Sequence, residues 1–156
     1  MTAPSGGSGA RTDRVLQGGR SKAYRPLPPD VRRTAFDAGL AAYRRGDFFE
    51  AHELLEPAWM GTADPVERDL YQGLIKLAAG YVHAVRGNPA GVGANLRGAR
   101  DRLAAAAASD PFAGGLDLPA LVAAIDARLE RGPAAAVARP LVDAPVLATA
   151  PAPARR

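Results

Sequence analysis

One short stretch of the sequence gathers side chains that could carry acid–base or metal chemistry. The segment RRGDFFEAHELLEPAW, residues 44–59, contains His52, Glu53 and Glu56 and ends at Trp59, the only tryptophan in the chain. With about 100° between successive helical residues, His52 falls inside an apolar arc and the two glutamates lie at its rim. Imidazole and carboxylate groups at such a boundary could transfer protons, bind a polar ligand or coordinate a divalent cation.

A second polar stripe follows on the next predicted helix, in the segment YQGLIKLAAGYVHAV. Its members are separated by four, three and four positions: Gln72, Lys76, Ala79 and His83. Lys76 is a specific choice, because the chain has many arginines and only one other lysine. Its ammonium could reach between Glu53 and Glu56, so we expect a partly buried salt-bridged network.

Several of these residues also have a purely structural interpretation, which the sequence favours. His52 would be a core histidine bonded to a neighbour, Trp59 a core anchor, and His83 a partner of a helix C-terminus. The candidate polar pocket between the two helices therefore comprises seven residues with two interpretations each: His52, Glu53, Glu56, Trp59, Gln72, Lys76 and His83.

Known catalytic spacings are missing from the sequence. A His-Glu-x-x-His motif would require histidine at position 56, and the paired Glu-x-x-His motifs of di-iron bundles are absent. There is no cysteine, no phosphate-binding glycine loop, and no serine beside a base in the folded region. A cation at the two glutamates would repel the ammonium of Lys76, so we predict no metal and no cofactor.

Capping residues mark five helices between two tails. Asp30, Asp47, Asp64, Asn88 and Asp117 are the predicted N-caps, and Gly46 and Gly87 end the first and third helices. The predicted helices cover residues 31–45, 48–59, 65–86, 89–108 and 118–130. Pro57 is expected to kink or end the second helix in its last turn.

The first four helices form a pseudo-repeat. At an offset of 41 residues, Gly46-Asp47 aligns with Gly87-Asn88, and Gly39 aligns with Gly80. Small residues before a tight turn let two helices cross closely, as in tetratricopeptide-like hairpins. We therefore predict an all-α fold, a compact bundle of about five helices built from two helix-turn-helix hairpins and a short C-terminal helix.

The net charge of +4 comes from the two ends of the chain. Residues 1–29 hold five basic residues against one acid, and residues 132–156 hold three against one, so the remainder is slightly acidic. Both ends are rich in Gly, Ser, Pro or Ala, and we predict that they are disordered tails around one domain, 30–131. Loose basic tails argue against specific nucleic-acid binding.

The absence of cysteine and of any long apolar run leads us to expect a soluble, cytoplasmic protein that does not enter a membrane.

Two segments, GDFFEAHELLEPAW and YQGLIKLAAGYVHAVRGN, resemble the family of small all-helical bacterial proteins known as domain of unknown function 309. The likeness covers roughly residues 26–130, and its most specific features are the EAHE-x-x-E-x-x-W motif and the later Q-G-x-I pattern. Pro57 departs from the pattern expected in relatives. The resemblance implies a compact helical bundle and no particular activity.

We interpret the chain as a binding or interaction module with a polar pocket between helices two and three, for a small molecule or a protein. One alternative is a small metal-dependent or acid–base enzyme that uses His52, Glu53 and Glu56. Another is a nucleic-acid accessory protein that acts through its basic tails.

Overall fold

Seven α-helices account for most of the residues that this computed structural model describes, which are 14–17 and 20–152. The helices are α1 (Pro29–Arg44), α2 (Phe48–Met60), α3 (Pro65–Val85), α4 (Pro89–Ser109), α5 (Leu118–Arg131), α6 (Ala134–Ala138) and α7 (Pro140–Asp143). Two short strands, β1 (Arg14–Gln17) and β2 (Arg20–Ala23), pair in antiparallel fashion ahead of α1. The predicted all-α bundle with five principal helices is confirmed.

Side-chain caps begin four of the five long helices, as predicted. Each cap accepts a backbone N–H of the first turn at 3.0 to 3.2 Å: Asp47 for α2, Asp64 for α3, Asn88 for α4 and Asp117 for α5. The predicted cap at Asp30 is wrong, because α1 begins at Pro29, two residues before the start that this cap implies, and Pro28 occupies the cap position. Asp30 lies in the first turn, where its charge still favours the positive end of the helix dipole.

Helix α2 passes through Pro57 and ends at Met60. Beyond the first turn, proline removes one backbone hydrogen bond of the helix; Pro57 is exposed in the last turn of α2, and only three helical residues follow it.

The turns of the two helical hairpins have the same geometry. Gly46 and Gly87 adopt φ of 83° and 72°, a region that favours glycine. In each turn the following residue, Asp47 or Asn88, donates its N–H to the carbonyl five residues earlier at 2.9 Å. The pseudo-repeat at an offset of 41 is therefore confirmed at the turns.

The helix crossings repeat at the same offset. A β-carbon at Gly39 of α1 would lie 2.5 Å from Leu55 Cγ of α2, and one at Gly80 of α3 would lie 3.4 Å from Leu96 Cδ2 of α4. A side chain at position 39 would force Leu55 to move, whereas a β-carbon at position 80 would be in ordinary van der Waals contact.

Contacts between α2 and α3 join the two hairpins, and α5 packs on α4. The largest fully buried side chains come from all five long helices and from the loop before α5: Phe36, Leu55, Trp59, Leu70, Ile75, Leu77, Tyr81, Val92, Leu103, Leu116, Leu118 and Ile125. The ring of Phe48 lies 5.4 Å from the rings of both Tyr43 and Tyr81, which ties α1 and α3 to the start of α2.

The segment after α5 packs against the bundle. Leu147 is buried, and the hydroxyl of Tyr43 donates a hydrogen bond of 2.8 Å to the carbonyl of Pro145. The prediction of a disordered tail over 132–156 is therefore wrong for residues 132–152. Backbone carbonyls bonded to distant side chains hold this segment, and composition does not reveal such contacts.

The same segment distinguishes the two hairpin turns. Leu141 of α7 lies directly over Gly46, where a β-carbon would come within 2.4 Å of Leu141 Cδ2. At Gly87 a β-carbon would meet no described atom within 4 Å.

The N-terminal prediction of disorder also fails where the chain is described. Besides β1 and β2, the backbone N–H groups of Arg25 and Leu27 donate to the carbonyls of Met60 and Gly61 at 2.9 and 3.0 Å. Residues 1–13, 18–19 and 153–156 lie outside the described residues. Of the helices that are described, none combines the length and the hydropathy needed to cross a bilayer.

Candidate functional site

The two predicted polar stripes meet along the groove between α2 and α3. His52 and His83, both half-buried, line one cavity of about 190 Å³. Its other lining residues are Phe49, Ala79, Val82 and Arg86. An apolar floor with two imidazoles is a surface on which a few polar groups can fix the orientation of a ligand.

A carboxylate sets the hydrogen-bonding role of His52. Nδ1 of His52 lies 3.3 Å from Oε1 of Glu53. A carboxylate only accepts hydrogen bonds, so Nδ1 carries the proton of the neutral ring. Nε2 of His52 is then the acceptor nitrogen.

The hydrogen-bonding role of His83 is set in the opposite sense by the turn between α3 and α4. The side-chain oxygen of Asn88 accepts the backbone N–H of Gly91 at 3.2 Å, which fixes the orientation of the amide. The amide nitrogen then donates to Nδ1 of His83 at 3.1 Å. Nδ1 is the acceptor in this ring, so Nε2 carries the proton and is a donor.

His52, Glu53 and Glu56 form a cluster of metal-ligating groups. One ligand atom of each lies within 4.8 Å of the others. Ligand atoms about 2.0–2.2 Å from a zinc ion can be at most about 4.4 Å apart, so small side-chain rotations would let the three converge on a cation. The side chain of Glu53 is 55 % exposed.

The side chain of Lys76 packs on α4. Its aliphatic stem crosses α4, because a β-carbon at Gly98 would lie 2.9 Å from Lys76 Cδ and 3.5 Å from Nζ. The ammonium of Lys76 therefore lies beside Gly98 of α4, and the predicted salt-bridged network with Glu53 and Glu56 stays a prediction.

Two other predicted residues belong to the interior. Trp59 is 1 % exposed and packs in the core, in keeping with its structural interpretation, and Gln72 is 5 % exposed. Of the seven candidate residues, only His52 and His83 line the groove cavity, and Glu53 and Glu56 continue from it along α2.

Four residues of the lining are not among the seven candidates, and Phe49 and Arg86 have the largest side chains of the four. Phe49 is 57 % exposed although it lies on the apolar arc of α2, and Arg86 follows the last residue of α3. Arg86 lies three residues after His83, and residues three apart lie on the same face of a helix. This spacing could have identified Arg86 as a neighbour of His83.

Tyr71 belongs to another polar group, between α1 and α3. Its hydroxyl donates to Glu67 Oε2 at 3.3 Å, and Nε of Arg32 donates to the same oxygen at 3.2 Å. Burial, followed by the charge and hydrogen bond of Glu67, raises the pKa of Tyr71 to about 12.

The comparison with protein families agrees with the resemblance found in the sequence. Residues 36–94, which run from α1 into the second turn of α4, match the family model described as Domain of unknown function (DUF309). No curated protein and no solved structure matches the chain. The match supports the suspected family over residues 36–94, which are less than half of the chain.

Proposed function

We propose that this protein is a binding module whose site is the cavity between α2 and α3. The observation that carries the proposal is the complementary hydrogen bonding of its two histidines. His52 offers an acceptor nitrogen from one helix, and His83 offers a donor N–H from the other. A group that presents a donor and an acceptor side by side, such as a carboxamide or a carboxylic acid, would satisfy both rings.

The size of the cavity limits the ligand. Sites that enclose drug-sized molecules have volumes of about 300–1,000 Å³. At about 190 Å³ this cavity suits a small polar molecule or a single side chain of a partner protein. The exposed ring of Phe49 and the guanidinium of Arg86 would contact the remainder of either ligand.

The proposal can be tested by following backbone amide resonances during titration of the full chain with small amides, carboxylic acids and alcohols. We expect shifts confined to the cavity residues, and about tenfold weaker binding in His52→Ala and in His83→Ala, since each removes one hydrogen bond. Glu50→Gln is the matched control, because Glu50 lies on α2 outside the cavity. Shifts that persist in both histidine variants, or no shifts with any compound, would refute the proposal.

A metal-dependent or acid–base enzyme is the second candidate. It is supported by the ligand atoms of His52, Glu53 and Glu56, which lie within 4.8 Å of one another, and by the side chain of Lys76, which runs from α3 over Gly98 of α4. In such a site His52 and Glu56, four residues apart, would be ligands on one helical face. Glu53 would be a further ligand or a general base.

A further inference from the structure

A second cavity, of about 360 Å³, is enclosed by the end of α5 and by α6 and α7. Three lining residues are basic, Arg128, Arg131 and Arg139, and three are apolar, Ala135, Ala138 and Val142. Asp143 completes the lining. None of these residues lines the groove between α2 and α3.

Two of the three guanidinium groups are held in place. Arg128 donates through Nε to the backbone carbonyl of Asp143 and through a terminal nitrogen to the carbonyl of Ala124 at 2.8 Å. Arg131 donates to the carboxylate of Asp143 at 2.8 Å. A guanidinium fixed in this way loses less conformational entropy when it binds an anion.

Asp143 is the only acid among the described residues of the lining, and both of its carboxylate oxygens accept hydrogen bonds. Its side chain is 6 % exposed; Oδ2 accepts the hydroxyl of Tyr81 at 2.7 Å and Oδ1 accepts Arg131. Among the described contacts, the side chain of Arg139 forms no hydrogen bond or ion pair. The described lining therefore has three positive charges against one negative charge, an excess of two.

We propose that this cavity binds the phosphate group of a small organic phosphate. Arginine matches phosphate oxygens with paired N–H donors, and a phosphate monoester carries the charge that balances the excess. The volume is about that of twelve water molecules, so a phosphate group leaves room for an organic part. That part would pack on Ala135, Ala138 and Val142.

Calorimetric titration of the full chain at constant ionic strength, with inorganic phosphate and with phenyl phosphate, tests the proposal. We expect one phosphate per chain, and tighter binding of phenyl phosphate because its ring contacts the apolar part of the lining. Equal affinity for the two compounds would overturn the inference of an organic ligand.

Arg139→Gln should weaken the binding of phenyl phosphate about tenfold, since it removes one charge-assisted contact. Arg97→Gln, an exposed arginine of α4 outside the cavity, is the matched control and should retain affinity within about twofold. An equal loss in both variants would show that phosphate only senses net charge, and the site would be rejected.

Ala138→Glu provides a second variant that leaves the network of Asp143 intact. Ala138 is exposed, so the substitution should preserve the melting transition while it places a carboxylate in the cavity. We expect it to abolish phosphate binding, and unchanged affinity in a folded Ala138→Glu protein would overturn the proposal.

Discussion

The imidazole ring of His83 packs directly over Gly91, where a β-carbon would lie 2.4 Å from Cγ of the histidine. The residues at the equivalent positions of the first hairpin are Ala42 and Glu50. The second hairpin has room for the ring of His83 because residue 91 of α4 has no side chain.

This relationship leads to a prediction about two glycines of α4. Gly91→Ala should lower the free energy of unfolding by about 1–2 kcal/mol, because the added methyl group displaces His83. Gly93→Ala should raise it by about 0.5–1 kcal/mol, because its β-carbon meets only the flexible end of Arg97, at 3.2 Å, and alanine favours a helix. Urea unfolding of both variants measures the difference, and equal effects would contradict the contact.

Lys76 is expected to matter through its stem. The salt-bridge interpretation predicts that Lys76→Met costs about 2–4 kcal/mol, as for a broken buried pair. In the structure methionine would preserve the packing on Gly98, so we expect a change below about 0.5 kcal/mol. Lys76→Ala, which removes the stem, should cost about 1 kcal/mol. A large loss in the methionine variant alone would restore the ionic role.

For the cluster on α2 we expect no stoichiometric cation binding tighter than about micromolar, because a strong zinc site takes three or four fixed protein ligands. Here three groups come from one helix, and Glu53 is half exposed. Calorimetry with zinc, manganese and iron measures this. One ion per chain at submicromolar affinity, lost in His52→Ala, would favour the enzyme over the binding module.

A chain that ends at residue 132 should be less stable than the full chain, by about 2–4 kcal/mol. It loses the acceptors of the hydroxyls of Tyr43 and Tyr81, and each broken buried hydrogen bond costs about 1–3 kcal/mol. Asp143→Asn in the full chain should show a smaller loss, since it removes the charge and one of the two acceptor oxygens but keeps the backbone contacts of the segment. Thermal unfolding measures both, and an unchanged midpoint in the shortened chain would mean that the segment contributes nothing.

Alkaline pH should destabilise the protein through Tyr71. The pKa of about 12 in the folded protein lies above the value of about 10 for an unfolded tyrosine. The stability that depends on the neutral hydroxyl is therefore complete below pH 10 and is lost as the pH rises towards 12. Urea unfolding between pH 8 and pH 11 should show a smaller decline in Tyr71→Phe, and the same decline in both proteins would contradict the assignment.

Local chemistry explains why the helices could be predicted. Caps such as Asp47 and Asn88 act on backbone groups within one turn, so their effect can be read from neighbouring residues. The orientation of Lys76 could not be predicted in the same way. A side chain of α3 that lies between two neighbouring helices can pack on either one. Gly98 has no side chain, and the space above it lets Lys76 pack on α4.

The C-terminal segment could not be predicted for a different reason. Its attachment depends on the carbonyl of Pro145 and the carboxylate of Asp143, which meet tyrosines that are more than sixty residues away in the chain. Alanine and proline dominate its composition and conceal these contacts.

The contact between Leu141 and Gly46 makes two turns of similar sequence unequal in what they tolerate. The turn at Gly46 is covered, so an inserted residue there would have to lift the C-terminal segment from the bundle. The turn at Gly87 has open space around it, which makes it the natural place to open the chain for circular permutation or to attach a label or a second protein. Selection on this molecule should accordingly accept changes in the length of the second turn and remove them from the first.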